Sequence, residues 1–178
     1  TSGSTGDPKG VVLAHGHLAV GVKGVDDFYS APQNRVLSYL PMAHIAERAL
    51  VIMGSIYYSV EIFFNESLNT FAQDLHHAQV TIFLAVPRIW TKLQFQVLAT
   101  LKDAELQPLL VSNQGAMIAA QIREKLGFKH CKRFASGAAP IAPSLLEWYG
   151  RIGIKWLRLQ LFVHLQTISI YLICHFLK

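Results

Sequence analysis

The sequence predicts an α/β fold in which a mostly parallel sheet is flanked by helices. Short apolar runs rich in β-branched and aromatic residues alternate at least three times with longer segments whose apolar residues recur at helical spacing. Such alternation is typical of a parallel sheet, because parallel strands need a helical crossover to return the chain to the same edge. Hydrophobic residues make up 52% of the chain, which suits strands buried on both faces.

The predicted strands are short apolar runs that end at turn-forming residues. The run VTIFLAV at 80–86 is the clearest, since it is apolar and β-branched and Pro87 follows it directly. Proline lacks the N–H group that a strand ladder needs. In chain order the predicted strands are 35–40, 60–64, 80–86 and 131–137.

Along the chain, the predicted helices precede the first strand, separate the strands and follow the last one. In the segment 67–78, for example, Leu68, Phe71 and Leu75 recur at helical spacing. Pro143 occupies an early position that favours the start of a helix. In chain order the predicted helices are 15–27, 45–59, 67–78, 89–101, 115–126 and 143–150.

The first ten residues, TSGSTGDPKG, combine small hydroxyl residues, three glycines and a lysine. Glycines let backbone N–H groups approach anionic oxygens closely, and the hydroxyls and the Lys9 ammonium group add donors. The loop is not a Walker A sequence, since Pro8 precedes Lys9 and no Ser or Thr follows it. A flexible Ser/Gly linker is the alternative. The apolar run VVL at 11–13 favours a loop that binds polyphosphate instead.

Charge and cysteine content exclude several classes of protein. The net charge is +5, but basic residues are scattered without a run of five or six, so nucleic-acid binding is not predicted. Cys131 and Cys174 have neither metal-type spacing nor a disulfide framework, which favours a reducing, cytoplasmic setting. The histidine pairs at 15–17 and 76–77 lack a third ordered ligand, so a solvated surface is favoured over a metal site.

Four stretches, in the expected order, resemble the adenylate-forming superfamily and, within it, the long-chain fatty acid CoA ligases. They are TSGSTGDPKG at 1–10, LPMAHIAER at 40–48, AVPRIW at 85–90 and SGAAPI at 136–141. The resemblance implies part of the large N-terminal domain of an enzyme that uses ATP to activate a long-chain fatty acid and transfers the acyl group to CoA. Adenylation of an aryl or amino acid is one alternative. A catalytically inactive nucleotide-binding or membrane-associated remnant is the other.

The resemblance also implies the residues of a site. The opening loop would bind the phosphates of ATP together with Mg²⁺, with Thr5 as a candidate metal ligand, and Lys9 would contact the departing pyrophosphate. The candidate phosphate-binding residues are Thr1, Ser2, Gly3, Ser4, Thr5, Gly6, Lys9 and Gly10.

Two further motifs complete the implied site. His44 follows a predicted strand and would orient or gate substrate beside the acyl and pantetheine path, the alternative being a half-buried structural histidine. Lys9 and His44 are therefore the catalytic candidates. Arg88 and Trp90 would lie near the acyl tunnel without a catalytic step. Small residues suit close packing against an adenine ring, and the candidate adenine-binding residues are Gly137, Ala138, Ala139 and Pro140.

The resemblance fails from Lys155 onward. The Tyr-Gly-x-Thr-Glu segment, whose glutamate helps to hold Mg²⁺ in the family, does not follow Ile154. Residues 159–177 give 19 mostly apolar positions, enough for a membrane helix, although His164 and Gln166 are costly in a bilayer. A non-native end, from a frameshift or read-through, is the favoured alternative.

We therefore predict a partial adenylation domain at 1–154 and a divergent apolar tail at 155–178. The chain is expected to be an internal fragment of a longer protein without acyl-CoA synthetase activity of its own. Its expected location is the cytoplasm, with peripheral membrane association as the alternative. Fatty acid, ATP and CoA are its expected partners.

Overall fold

The computed structural model describes residues 12, 14–23, 26–29, 31–137 and 139–156. It confirms the predicted α/β fold with parallel strands and helices between them. The predicted phosphate loop at 1–10, Ala138 in the adenine turn and the tail from 157 to 178 lie outside the described residues. Within the described part of the chain, no helix combines the length and apolar character needed to cross a membrane.

Among the described residues, four strands form two parallel pairs that lie side by side, and each strand lies inside a run predicted from the sequence. β1 pairs in parallel with β2, and β3 pairs in parallel with β4. The Thr81 N–H donates to the Arg35 carbonyl at 3.0 Å, and the Arg35 N–H donates to Thr81 Oγ1 at 2.8 Å, which sets β1 beside β3. Trp156 forms a parallel bridge with Phe134 beyond β4. The strands are β1 (Arg35–Ser38), β2 (Glu61–Phe64), β3 (Ile82–Ala85) and β4 (Arg133–Ser136).

Seven α-helices occur among the described residues, together with a short 3₁₀ helix at Asp26–Tyr29. A π-helical segment, Glu47–Ile52, leads directly into the second α-helix. The α-helices are α1 (His15–Lys23), α2 (Met53–Tyr58), α3 (Phe71–Ala78), α4 (Pro87–Thr100), α5 (Asp103–Val111), α6 (Gly115–Lys125) and α7 (Pro143–Arg151).

The helix α5 was not predicted, and two other helix starts were misplaced. Pro108 lies inside α5, where it removes a backbone hydrogen bond, but the fully buried Leu106 gives the helix a place in the core. Helix α4 begins at Pro87 rather than at residue 89, because proline at the first helical position loses no intrahelical bond. Helix α3 begins at Phe71 rather than at residue 67, since Thr70 and Ser67 hydrogen-bond each other in a preceding turn.

Trp90 is at the centre of the larger hydrophobic core. Its side chain is 0% exposed, and its ring lies 4.9 Å from both Phe83 and Tyr149, measured between centroids. Its Nε1–H donates to the Ala135 carbonyl at 3.3 Å, so the ring also fixes the end of β4. The structure therefore gives Trp90 a core position, whereas Arg88 is exposed, and the place of both near an acyl tunnel stays a prediction.

Gly127 ends helix α6 in a conformation that favours glycine. Its φ is +78°, and the Phe128 N–H closes the turn by donating to the Arg123 carbonyl at 2.7 Å. A Cβ atom at Gly127 would lie 2.2 Å from the Leu75 carbonyl oxygen, which is backbone and cannot rotate away. The turn therefore leaves no room for a side chain.

We expect Gly127→Ala to lower the free energy of unfolding by at least about 1–2 kcal/mol, the cost of a left-handed conformation alone. Gly150→Ala is the matched control, because a Cβ on that helical glycine would meet nothing within 4 Å. The control should raise stability by about 0.5–1 kcal/mol. Urea unfolding of both variants measures the difference, and equal stabilities would contradict the expectation.

Candidate functional site

A cleft opens at the edge of the sheet where β1, β3 and β4 end. Ligands of α/β folds bind outside the carboxyl ends of strands, where the connecting loops diverge. This cleft brings together two of the predicted groups, His44 from the loop after β1 and Gly137 from the turn after β4. The lining residues are Tyr39, Leu40, His44, Ala46, Leu84, Ala85, Val86 and Gly137.

His44 is held in place by its own backbone and by its ring. Its N–H donates to the Pro41 carbonyl at 2.7 Å, and its carbonyl accepts from the N–H groups of Glu47 and Arg48 at 3.1 and 3.3 Å. It therefore caps the following helical segment. The Ala46 N–H donates to His44 Nδ1 at 3.2 Å, so the ring is fixed as well.

Glu47 is a buried acid that the sequence reasoning did not assign to the site. Its side chain is 1% exposed, and it accepts hydrogen bonds from the Ser38 hydroxyl and from the Leu40 backbone. Burial raises the pKa of the Glu47 carboxyl, while these two donors and the nearby His44 lower it. Glu47 thus ties the end of β1 to the helical turn that begins at His44. The sequence signal that could have indicated its burial is the position of an acidic residue between the small apolar residues Ala46 and Ala49.

The raised pKa of Glu47 predicts a pH-dependent effect of Glu47→Gln. Below the usual pKa of about 4.5, the acid is neutral in both the folded and the unfolded chain. As the pH rises above that value, the unfolded chain ionises first, and the folded state loses relative stability until its own raised pKa is passed. We therefore expect the free energy of unfolding of the variant to rise relative to that of the wild type as the pH increases above about 4.5, measured by urea unfolding. A difference independent of pH would contradict the raised pKa.

The turn after β4 brings Gly137 to the cleft. The Gly137 N–H donates to the Ala85 carbonyl at 3.3 Å, and Gly137 is buried. Ala139 and Pro140 are exposed, so one side of the turn is free for contact with a flat ring. Just before the turn, Ser136 Oγ is buried without a hydrogen-bond partner.

An apolar cavity of about 30 Å³ adjoins the cleft. It lies between the sheet and the helical segment 46–51, and it shares Tyr39, Leu40, Ala46 and Leu84 with the cleft. The Tyr39 hydroxyl donates to the Leu84 carbonyl at 3.1 Å and fixes the wall between them. The cleft is thus continuous with an apolar space behind Tyr39 and Leu40.

The remaining predicted site residues lie outside the described part of the chain. They include Lys9, Thr5 and the other residues of the opening loop, together with Ala138. Within the described ranges, no group of three or more His, Cys, Asp or Glu side chains could hold a metal ion. The histidines at 76–77 are exposed, as a solvated pair would be.

Residues 1–162 match a family described as AMP-binding enzyme. The chain is 31% identical over 171 residues to the peroxisomal long chain acyl-CoA synthetase 7 of Arabidopsis thaliana, covering 83% of this chain and 24% of that protein. It is 29% identical over 185 residues to the putative fatty-acid–CoA ligase fadD11 of Mycobacterium tuberculosis, covering 86% of this chain and 32% of that protein. The chain thus spans 24% and 32% of the length of these two relatives.

A solved structure resembles the fold over most of the chain. It is the A domain of carboxylic acid reductase from Segniliparus rugosus, in complex with AMP and a co-purified carboxylic acid. The TM-score is 0.66 at 26% sequence identity, and the match covers 85% of this chain and 25% of that one.

Proposed function

This chain belongs to the family of AMP-binding enzymes, and from that premise we propose that it is part of an ATP-dependent ligase that activates a long-chain fatty acid as an acyl-adenylate and transfers it to CoA. The observation that carries the proposal is the single cleft shared by His44 and Gly137. The relatives named as a long chain acyl-CoA synthetase and a fatty-acid–CoA ligase support the class of substrate.

The first step needs stabilisation of charge rather than a protein nucleophile. An oxygen of the fatty acid carboxylate attacks the α-phosphorus of ATP, and pyrophosphate leaves with the electrons of the broken P–O bond. Donors on the opening loop, Lys9 above all, would hold the β and γ phosphates as charge develops on them. Mg²⁺ would neutralise part of the phosphate charge, with Thr5 as the candidate residue to hold it.

The cleft offers a place for each part of the adenylate. The adenine ring would pack against the small residues of the turn from Gly137 to Pro140, where Ala139 and Pro140 are exposed. His44 lines the same cleft from the loop after β1 and would lie beside the carboxylate of the bound acid. The adjoining apolar cavity behind Tyr39 and Leu40 would take the first methylene groups of the acyl chain.

Activation of a different carboxylic acid is the second candidate. The solved relative is a carboxylic acid reductase domain that holds AMP and a co-purified carboxylic acid, which favours adenylation without fixing the acid. A cytoplasmic enzyme with peripheral membrane association through the apolar tail would have direct access to fatty acids, and this location is part of the proposal.

The test is exchange of radiolabelled pyrophosphate into ATP by the full-length gene product that carries these residues. Palmitate, benzoate and a mixture of amino acids are compared as the acid, followed by CoA-dependent release of AMP. We expect exchange with palmitate and thioester formation when CoA is added. Exchange with benzoate or amino acids alone would transfer the proposal to the second candidate, and no exchange with any acid would overturn both.

A further inference from the structure

A cluster of lysines lies at the edge of the sheet where the strands begin, opposite the cleft. The stretch 123–133 carries five Arg and Lys residues and one acid, although its basic residues do not form a continuous run. This stretch leads from the end of α6 into the start of β4. Four lysines of the region are exposed, and we call them the basic edge: Lys125, Lys129, Lys132 and Lys155.

Contacts between neighbouring elements bring these lysines to one surface. The Lys132 N–H donates to the Thr81 carbonyl at 3.0 Å, which sets Lys132 beside the start of β3. The parallel bridge between β4 and Trp156 places Lys155 at the same level of the sheet. Helix α6 ends at Lys125, and a short turn joins it to β4. The basic edge is therefore built from a helix end, a turn and two strand starts.

Little negative charge offsets the basic edge. The Glu124 carboxylate lies 2.6 Å from Lys129 Nζ. The hydrogen bond and the charge of Lys129 lower the pKa of the Glu124 carboxyl, and His76 and His130 act in the same direction. The other three lysines of the basic edge form no ion pair with any described residue. Their charges are therefore available to an external anion.

Stabilisation of a helix end accounts for only part of this charge. Cations near a helix C-terminus offset its dipole, and α6 has Arg123 and Lys125 in its last turn. The Arg123 guanidinium also donates to the Ile152 carbonyl. Lys132 and Lys155 lie outside the last turn of every described helix. Unpaired charges of one sign that have no structural partner favour contact with an anionic surface.

The apolar cavity beside the cleft extends towards the same edge of the sheet. Along β3, its lining runs from Leu84, which it shares with the cleft, back to Ile82 at the start of the strand. Along β1, the lining reaches back to Val36. A lipid surface in contact with the basic edge would therefore lie at the end of the molecule towards which this cavity extends.

We propose that the basic edge docks the full-length protein onto an anionic lipid membrane. The choice of a membrane rests on the proposed function, since a long-chain fatty acid partitions into lipid. RNA is the other polyanion that lysines could bind, but the neighbouring rings of Phe128 and Trp156 pack into the core and offer no surface for stacked bases. This docking is electrostatic and needs no contribution from the apolar tail.

The double variant Lys132→Gln/Lys155→Gln of the full-length gene product tests the docking. Binding to phosphatidylcholine vesicles that contain phosphatidylserine is measured by sedimentation over a range of sodium chloride concentrations. Each lysine near an anionic surface contributes about fivefold to the affinity, so we expect the double variant to bind about 25-fold more weakly. Wild-type binding should fall as the salt concentration rises, and vesicles of phosphatidylcholine alone should not bind.

Lys23→Gln/Lys92→Gln is the matched control, because it removes the same net charge from the other side of the sheet. Lys23 lies over the Tyr57 ring, and Lys92 Nζ donates to the Leu68 carbonyl in the loop after β2 at 3.1 Å. Both lysines are exposed. We expect the control to bind the vesicles within about twofold of the wild type. Equal losses in the two double variants would overturn the inference.

Pyrophosphate exchange without vesicles separates docking from catalysis. We expect wild-type exchange in Lys132→Gln/Lys155→Gln, because neither lysine lies at the cleft. Vesicle binding that resists salt would overturn the inference, and so would a double variant that loses binding to a short RNA but keeps binding to vesicles. Absence of exchange in the wild type would overturn the proposed function and leave the result with vesicles standing.

Discussion

Replacing Trp90 with alanine is expected to lower the free energy of unfolding by about 3–5 kcal/mol, the usual cost of removing a large aromatic side chain from a core. Trp90 is completely buried, and its ring contacts Phe83, Tyr149 and Trp156 with centroid distances of 4.9, 4.9 and 4.6 Å. The substitution also leaves the buried Ala135 carbonyl without the Nε1–H donor.

Phe95→Ala is the matched control for Trp90→Ala. Phe95 lies on the same helix, α4, but its side chain is 64% exposed, so its removal should cost little. Equilibrium unfolding in urea, followed by circular dichroism, measures both variants. Losses of similar size would show that the core does not depend on Trp90.

Replacing Lys9 with alanine is expected to slow acyl-adenylate formation about 10²-fold in the full-length gene product. Under the proposed function, the ammonium group of Lys9 contacts pyrophosphate as it leaves. Pyrophosphate takes no part in the second half-reaction. Thiolysis of a preformed acyl-adenylate by CoA should therefore proceed at nearly the wild-type rate. The two half-reactions are measured separately, by pyrophosphate exchange and by AMP release from the isolated adenylate.

Lys125→Ala is the control for the loss of a positive charge. Lys125 is exposed at the end of α6, on the side of the sheet from which β4 starts, whereas the cleft lies where β4 ends. We expect wild-type rates for both half-reactions in this variant. If Lys9→Ala slows adenylation and thiolysis equally, the assignment of Lys9 to pyrophosphate is wrong.

The strands could be predicted because their signals are local. The run that becomes β3 is apolar and β-branched and is followed by proline, so the sequence alone indicates a buried strand. Helix α5 could not be predicted in this way, since Pro108 argues against a helix and only the buried position of Leu106 favours one. Its stability depends on partners that are distant in sequence.

Only the part of the site that local motifs mark could be predicted from the sequence. The motifs containing His44 and Gly137 indicated a shared function, and the structure brings both to one cleft. The hydrogen bond to His44 Nδ1 and the burial of Glu47 depend on how the chain turns after β1. The conformation of this turn cannot be predicted from a local sequence pattern. The predicted roles of Lys9 and Ala138 stay predictions.

The seam between β1 and β3 has a mechanical consequence for the cleft. Continuity across the sheet depends there on Thr81, whose backbone and hydroxyl both bond to Arg35, and on the hydroxyl of Tyr39 reaching Leu84. His44 is carried by one strand pair and Gly137 by the other. These few contacts therefore fix how the two strand pairs lie relative to each other, and with them the distance between His44 and Gly137 across the cleft.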